Sequence, residues 1–534
     1  MRFKKRTCSL IASFLVVLMS VTSSGACTII AAGKNTTVDG SAIVTHNDDS
    51  TVANFKLFII PEADHEDGAE RDVILKDHDY PGDAQVVGKI PQVKHTYRYF
   101  KSRYSFMNEN GVAIGEATNG VVVTDERSAK VKKIMETDAV GMLDAWMVQD
   151  IMLERAASAR EAVEIMGKLV EEHGFFDAGE TMNLTDGNEV WIIEFYGNKI
   201  WAAWKVPDDE VFVAANRARL RNLDLTDKDN VMYCPDLVDF AVENGFIDKK
   251  DVDMKDFSPA EVYSPNHEVY ATRREWRALS LLAPSLNLSP SEMDYPKSVK
   301  PDKKLTVNDI FVITGDWYEG TPYDLSQGPA AGPWGDPIRY ANRSEENKNA
   351  AWERSINMHR CCYVHIAQVR GDLPKEVRGI SWHGYGAPDT TYLTPLWPIM
   401  TQLPEFYSVG SRYEEFRRDS GWWVNTYVQQ MAELRYQDAR KDIHAAREPK
   451  LQALYTLTPM VQDKAAQLIK DGKRDEAINM ITDFAYSNAV DWNQKWLTLG
   501  DWLLGEYAMG YKNFKTTPYP ESWNKTVEFN EPQR

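Results

Sequence analysis

Cys27 stands directly behind Thr22-Ser-Ser-Gly-Ala26, a run of small residues of the kind a signal peptidase cuts. A cut after Ala26 makes Cys27 the first residue of the mature chain, with a thiol and a free α-amine on one residue. The amine has a reference pKa of about 7.7–8.0 and the thiol about 8.5, so proton transfer between them is nearly balanced. The amine can then serve as the general base that other thiol enzymes take from a histidine. The thiolate attacks a carbonyl, the amine protonates the departing nitrogen, and water resolves the thioester. Such a site needs a carboxylate to hold the amine and donors for the oxyanion.

The leader itself has three parts. Basic Arg2-Phe-Lys-Lys-Arg6 precedes an apolar stretch from Leu10 to Val21, and Ser24 and Ala26 fill the two small-residue positions before the cut. The expectation is an exported protein, periplasmic or secreted, with signal peptidase as its maturation partner. Lipidation of Cys27 is the competing reading, and it would make the chain an anchored binding protein using its many Trp and Tyr as stacking platforms. Ser24 argues against it, because lipidated leaders usually carry an aliphatic residue three before the cysteine. Acylation would also abolish the amine as a base, so the two readings exclude each other.

Composition narrows the remaining classes. The chain has 534 residues, 43% of them apolar and 26% charged, enough for a large core. Its net charge is −18, and loss of Arg2, Lys4, Lys5 and Arg6 with the leader makes it about −22, a surface that repels phosphate backbones. Nucleic-acid binding is not expected. Five cysteines are too few for a disulfide scaffold, and Cys8 leaves with the leader. No C-x-x-C pair or H-E-x-x-H is present, so no zinc or other cofactor is expected. Gly328-x-x-x-Gly332 lacks the Lys-Ser/Thr of a phosphate loop. A homo-oligomer is possible.

The elements that must hold such a site can be read from periodicity and turn chemistry. Thr28 to Ala32 and Ser41 to Thr45, joined by a Gly/Asn/Asp-rich turn, form a hairpin, and Phe55 to Ile60 a third strand. Phe106-Met107 and Val112 to Gly115 flank Asn108-Glu-Asn-Gly111, a second hairpin. Helices follow over Val140 to Arg155 and Ala159 to His173, the latter opened by the capping pair Ser158 and Glu161 and closed by Gly174. Strands resume at Met182 to Thr185, Glu189 to Phe195, Lys199 to Val206 and Val211 to Ala215. Long helices near Trp422 to His444, Pro459 to Lys470 and Asp475 to Leu504 close the chain, with Trp422, Trp423, Trp492, Trp496 and Trp502 expected in the core. The adjacent Cys361 and Cys362 read as opposite faces of a strand. This order is an α+β plan, helices packed on antiparallel sheets, with a helical extension over roughly residues 410–534 of a single domain spanning 27–534.

The segment from Cys27 to Ser50, with Cys27-Thr28, Gly33-Lys34, Asp39-Gly-Ser41 and His46-Asn-Asp-Asp49, resembles the start of bacterial cysteine dipeptidases. These are N-terminal-nucleophile hydrolases related to penicillin V acylase and bile salt hydrolase. Pro91 to Tyr97, Met107 to Thr118, Val206 to Asn216, Ala271-Thr-Arg-Arg-Glu-Trp-Arg277, Glu319 to Asp324 and Gly328 to Gly332 extend the likeness. The resemblance implies an αββα sandwich and short peptides as substrates, with acylase chemistry on other amides as an alternative.

Position by position, the resemblance makes Cys27 the nucleophile and Asp49 the carboxylate that holds its amine. It makes Asn216 an oxyanion donor and Arg273 an orienting arginine, or Arg274 if the register slips by one. Thr118 or Asn119 falls at a second oxyanion position, and only Asn119 has a side-chain amide. Each has a plain structural alternative: a turn acid, a strand-end turn residue, a surface ion pair. One departure stands out. The family arginine three before Asp49 is His46 here, a residue without a permanent charge or a rigid fork of donors. Either His46 supports the thiolate in its place, or it only packs and another cation such as Arg273 supplies the charge.

Overall fold

The computed structural model describes residues 27–50, 54–75, 84–340 and 353–527; the expected leader lies outside them. Six strands matter for the site: β1 (Ile29–Ala32), β2 (Ala42–Asp48), β3 (Ala113–Thr118), β4 (Glu180–Thr185), β5 (Val211–Ala214) and β6 (Tyr363–Val369). β1 and β2 are buried along their whole length. That is why they read as short, nearly continuous runs of apolar and β-branched residues.

β1 pairs antiparallel with β2, Ala31 opposite Val44, and on its other edge with β5, Ile29 opposite Ala214. β2 pairs with β6, His46 opposite His365. The full seven-stranded sheet runs Ser298–Val299, β5, β1, β2, β6, Gly379–Tyr385 and Thr394–Leu396. The second sheet has eight strands, with β3 and β4 at its centre and Val190–Gly197 and Ile200–Val206 beyond β4.

The two sheets meet closely where β2 crosses β3. A Cβ on Gly115 would lie 2.2 Å from the Thr45 carbonyl oxygen, so a side chain there would push the strands apart. Beside it, the buried Asn183 amide of β4 donates to the carbonyls of Ile30 at 3.1 Å and Thr45 at 3.2 Å. This tie fixes the depth of β1 and β2 against the second sheet. A buried amide with its donors satisfied adds specificity that apolar packing alone lacks.

Helices cover both sheets on the outside. The Ala159–His173 helix has the expected cap, Ser158 accepting from the Glu161 amide, and ends at Gly174 with φ +73°. Its Gly167 lets the Trp201 indole of the second sheet approach. The preceding helix begins at Ala145 and not at Val140, because the Asp144 side chain caps it while Met142 and Leu143 pair with 173–175. Over the first sheet lie Gly421–Ala432, Tyr436–Lys470 and Arg474–Tyr507, with Tyr455 against Trp382 at 5.1 Å between rings. Pro449 and Pro459 sit inside the Tyr436–Lys470 helix without ending it, and Pro449 is exposed, where a missing amide bond leaves a carbonyl to water. Trp422, Trp492 and Trp496 are buried as expected, but Trp502 is 47% exposed. Cys361 and Cys362 are buried immediately ahead of β6 and not within it. No helix among the described residues is long and apolar enough to cross a membrane.

Candidate active site

Cys27 sits where β1 begins. Thr28 bridges to Asn47, which brings Cys27 against the last turn of β2. His46 and Asp48, two apart on an extended strand, project to the same side. The Cys27 Sγ, a His46 ring nitrogen and an Asp48 carboxylate oxygen all lie within 4.8 Å of one another. Cys27, His46, Asp48, Asp49 and Glu116 are all buried.

The nearest partner of the thiol is Glu116 of β3. Cys27 Sγ donates to its Oε1 at 3.0 Å, His46 Nε2 lies 3.0 Å from that same oxygen, and Nε2 is 3.4 Å from Sγ. The other ring nitrogen is fixed by a chain of tyrosines. The Tyr363 hydroxyl donates to the Tyr104 carbonyl at 3.1 Å, and its oxygen lies 3.3 Å from His46 Nδ1. A carbonyl can only accept, so the tyrosine proton points to Tyr104 and Nδ1–H donates to the tyrosine oxygen. The ring bridges Tyr363 and Glu116 from its two nitrogens.

Burial pushes the Cys27 thiol up, and the charges of Glu116, Asp48 and Asp49 push it further, as does donation to Glu116. Burial also acts to raise Glu116, but hydrogen bonds from His46, Glu180 and Cys27, with the charge of His46, outweigh it and hold that carboxyl low. Its diagonal neighbour on β4, Glu180, goes the other way: burial and the Glu116 charge drive it up. Two carboxyls in hydrogen-bond contact share one proton, and it rests on Glu180. Burial raises Asp48 to about 6 against the pull of Arg103 and His46. Asp48 has Arg103 at 3.8 Å, and neither of its oxygens has a hydrogen-bond partner among the described residues.

Arg274 is the residue that ties the rest together. It lies on the Val269–Leu282 helix, where one residue turns the side chain by about 100°, so Arg273 and Arg274 leave in different directions. Arg274 is buried. Its Nη1 donates to the Cys27 carbonyl at 2.9 Å and Thr28 Oγ1 at 3.1 Å, and its Nη2 to the Ala215 carbonyl at 3.1 Å and Asn216 Oδ1 at 2.8 Å. Burial, then the charge of Arg354, brings it down to about 10, so it remains a cation at neutral pH. Arg273 instead pairs with Glu353 and lies over the Tyr323 ring at 3.9 Å. The arginine against Cys27 is therefore Arg274, the second of the two registers.

The other expected residues divide. Asn216 follows β5 with φ +60°, a left-handed turn that asparagine tolerates. Its Oδ1 accepts from Arg274, and its Nδ2 donates to the Thr118 carbonyl at 2.8 Å. Asp49 forms a buried ion pair with Arg354, and its carbonyl accepts from Arg360; burial raises its carboxyl while both arginines oppose that. The Asn119 amide is spent on packing: Nδ2 donates to Thr181 Oγ1 at 3.1 Å, and Oδ1 accepts from Ser264 at 3.0 Å. Glu116, Glu180, Arg103 and Arg354 were not anticipated. Glu116 left one trace, an acid inside the otherwise small and apolar Ala113-Ile-Gly-Glu-Ala117; Arg354 left none, since it reaches Asp49 across 305 residues.

The chain is similar in sequence to known proteins. A family model described as Peptidase family C69 matches residues 26–449. A probable dipeptidase of Latilactobacillus sakei is 27% identical over 423 residues, covering 77% of this chain and 82% of the relative. Dipeptidase A of Lactobacillus helveticus is 24% identical over 486 residues, covering 87% and 94%. A probable dipeptidase of Salmonella dublin is 27% identical over 402 residues, covering 73% and 84%.

Proposed function

Because the chain belongs to peptidase family C69, a family of cysteine peptidases, we propose that it is a dipeptidase whose nucleophile is Cys27, exposed when residues 1–26 are removed. The observation that carries this is the placement of Cys27. Its thiol lies 3.0 Å from Glu116 and 3.4 Å from His46, and its carbonyl is anchored by Arg274. The relatives named dipeptidases supply the substrate class, short peptides. The two facing antiparallel sheets with helices outside agree with an αββα sandwich of the N-terminal-nucleophile kind.

In this reading the burial-raised thiol gives its proton to the new α-amine, and Sγ adds to the peptide carbonyl carbon. The oxyanion is met by Asn216, positioned by Arg274. The ammonium then protonates the leaving nitrogen, the C–N bond breaks, and a thioester remains. Water, deprotonated by the amine, adds to the thioester, and loss of the thiolate releases the acid and regenerates Cys27. Asp49 holds the amine in the pattern the family resemblance implies, with Arg354 behind it. Export follows from the leader, with maturation by signal peptidase.

The test is intact mass and N-terminal sequencing of the purified mature protein, paired with dipeptide hydrolysis by wild type, Cys27→Ser and Cys27→Ala. A mature chain beginning at an unmodified Cys27, with activity lost in Cys27→Ala, is expected. An acylated Cys27, or hydrolysis by Cys27→Ala at the wild-type rate, would overturn the proposal.

A further inference from the structure

We propose that Cys27, His46 and Asp48 form a binding site for a borderline-soft divalent cation, zinc above all, and that filling it blocks the nucleophile. Zinc takes thiolate, imidazole and carboxylate ligands at about 2.3, 2.0–2.1 and 2.0–2.2 Å, in tetrahedral array. Those bond lengths put a ligating sulfur and nitrogen roughly 3.5 Å apart, and Cys27 Sγ and His46 Nε2 are 3.4 Å apart. The three ligand atoms, one from each residue, lie within 4.8 Å of one another in a buried setting.

Two further observations point to a ligand. The first is Asp48, a buried carboxylate with no hydrogen-bond partner for either oxygen among the described residues and only a loose ion pair with Arg103. A carboxylate left so is costly, and a cation at this point would satisfy it. The second is the outer contact of His46. Its Nδ1 is held by Tyr363, whose hydroxyl is itself anchored on the Tyr104 carbonyl. Metal-ligating histidines are oriented in this way, with one nitrogen bonded behind and the other turned to the ion. Glu116, 3.0 Å from both Sγ and Nε2, adds negative charge beside the cation.

Motif spacing could not reveal this site, since its ligands come from residues 27, 46 and 48 and are brought together by the β1–β2 pairing and its bridge of Thr28 with Asn47. It also belongs to this chain's own sequence. An arginine at position 46 stays protonated, whereas His46 can yield the proton between Nε2 and Glu116 to an incoming ion and so offer a lone pair. The site stands independently of the catalytic reading; only its inhibitory effect rests on Cys27 being the nucleophile.

The experiment titrates mature protein with Zn2+ against a chromophoric chelator, and with Co2+ to read thiolate-to-cobalt charge transfer in the near ultraviolet. Dipeptide hydrolysis is followed in parallel. One equivalent of Zn2+ should bind, Co2+ should show the thiolate band, and Asp48→Asn and His46→Gln should each weaken binding by about 10-fold or more. Absence of stoichiometric binding, or equal binding by Cys27→Ala, overturns the site. If a variant fails to fold, the wild-type cobalt spectrum decides alone: a thiolate band supports the site and its absence overturns it. If Zn2+ binds as described and hydrolysis continues with the site filled, the site stands and the nucleophile assignment falls.

Discussion

Replacing Arg274 and Arg273 one at a time separates the two registers of the helix that carries them. Arg274→Met keeps bulk but removes donors to the Cys27 and Ala215 carbonyls, Thr28 Oγ1 and Asn216 Oδ1. A buried acceptor left unpaired costs about 1–3 kcal/mol. Four such acceptors would cost more than that together, but the guanidinium's own burial, which brings it down to about 10, is relieved at the same time. A net loss of roughly 2–4 kcal/mol in stability is the balance. The larger effect falls on rate. The carbonyl of Cys27 loses its anchor and Asn216 loses the partner that orients its amide, and a misplacement near 1 Å can cost about 10²-fold. Arg273→Ala removes a partly exposed pair with Glu353 and a contact with the Tyr323 ring, worth together about 1–2 kcal/mol. Arg274→Lys, which keeps a charge but not the fork, should fall between. The assay is kcat/KM on a dipeptide alongside urea unfolding. The expected order of activity is Arg273→Ala close to wild type, then Arg274→Lys, then Arg274→Met. An Arg273→Ala variant as impaired as Arg274→Met would refute the role given to Arg274 at Cys27.

His46→Arg addresses the side chain beside the thiol. With the His46 ring held between Tyr363 and Glu116 beside the thiol, an arginine there should keep a donor against Glu116. The arginine variant should keep kcat/KM on a dipeptide close to wild type while His46→Gln loses more; a His46→Gln variant as active as wild type would sink the supporting role. His383 should contribute to acid sensitivity. Burial holds it at about 3 from an ordinary 6.5, so its folded-state pKa is depressed. Its stabilising contribution is complete above pH 6.5 and is lost as the pH falls from there toward 3. By pH 4 this amounts to about 3 kcal/mol, and urea unfolding of His383→Gln should show a flatter decline between pH 7 and 4 than wild type. Parallel declines would assign the acid sensitivity elsewhere.

Local patterns carried the parts of this fold that are local. The β1–β2 hairpin, the Ala159–His173 helix with both its caps, and the β4 and β5 strands depend on runs and turns of a few residues, and they were readable as such. The start of the helix at Ala145 was not, because Val140 to Leu143 are helix-compatible and only their pairing with residues 173–175 withdraws them. The Tyr436–Lys470 helix looked like two because proline is read as a break, while the long packed helix takes in Pro449 at an exposed position and Pro459 at a half-buried one. The same limit governs the site. Cys27, His46 and Asp49 fall within one short stretch of chain and can be seen together. Arg274 against Arg273 is a difference of one helical step that no strand or turn signal resolves. Glu116 and Arg354 come to the site only through sheet packing and contacts spanning 89 and 305 residues.

The contact between Cys27 and His46 invites a different mechanism, a cysteine–histidine pair in which the ring is the base. The hydrogen bonds oppose it. A base needs a lone pair facing the thiol, and His46 has committed Nδ1–H to Tyr363 and faces the ionised Glu116 with Nε2 at 3.0 Å. The ring as placed turns its nitrogens to Tyr363 and Glu116, not a lone pair to Sγ. Glu116 does accept from the thiol, yet the bonds it receives hold its carboxyl far below a burial-raised thiol, so proton transfer to it is steeply uphill. Among the described residues the hydrogen-bond partners of Sγ are these two, and an amide nitrogen at residue 27 cannot supply a base. An α-amine on Cys27 supplies it from the same residue, at about 7.7–8.0. On the proposed reading, cleavage before Cys27 would give the site the base that its hydrogen bonds do not.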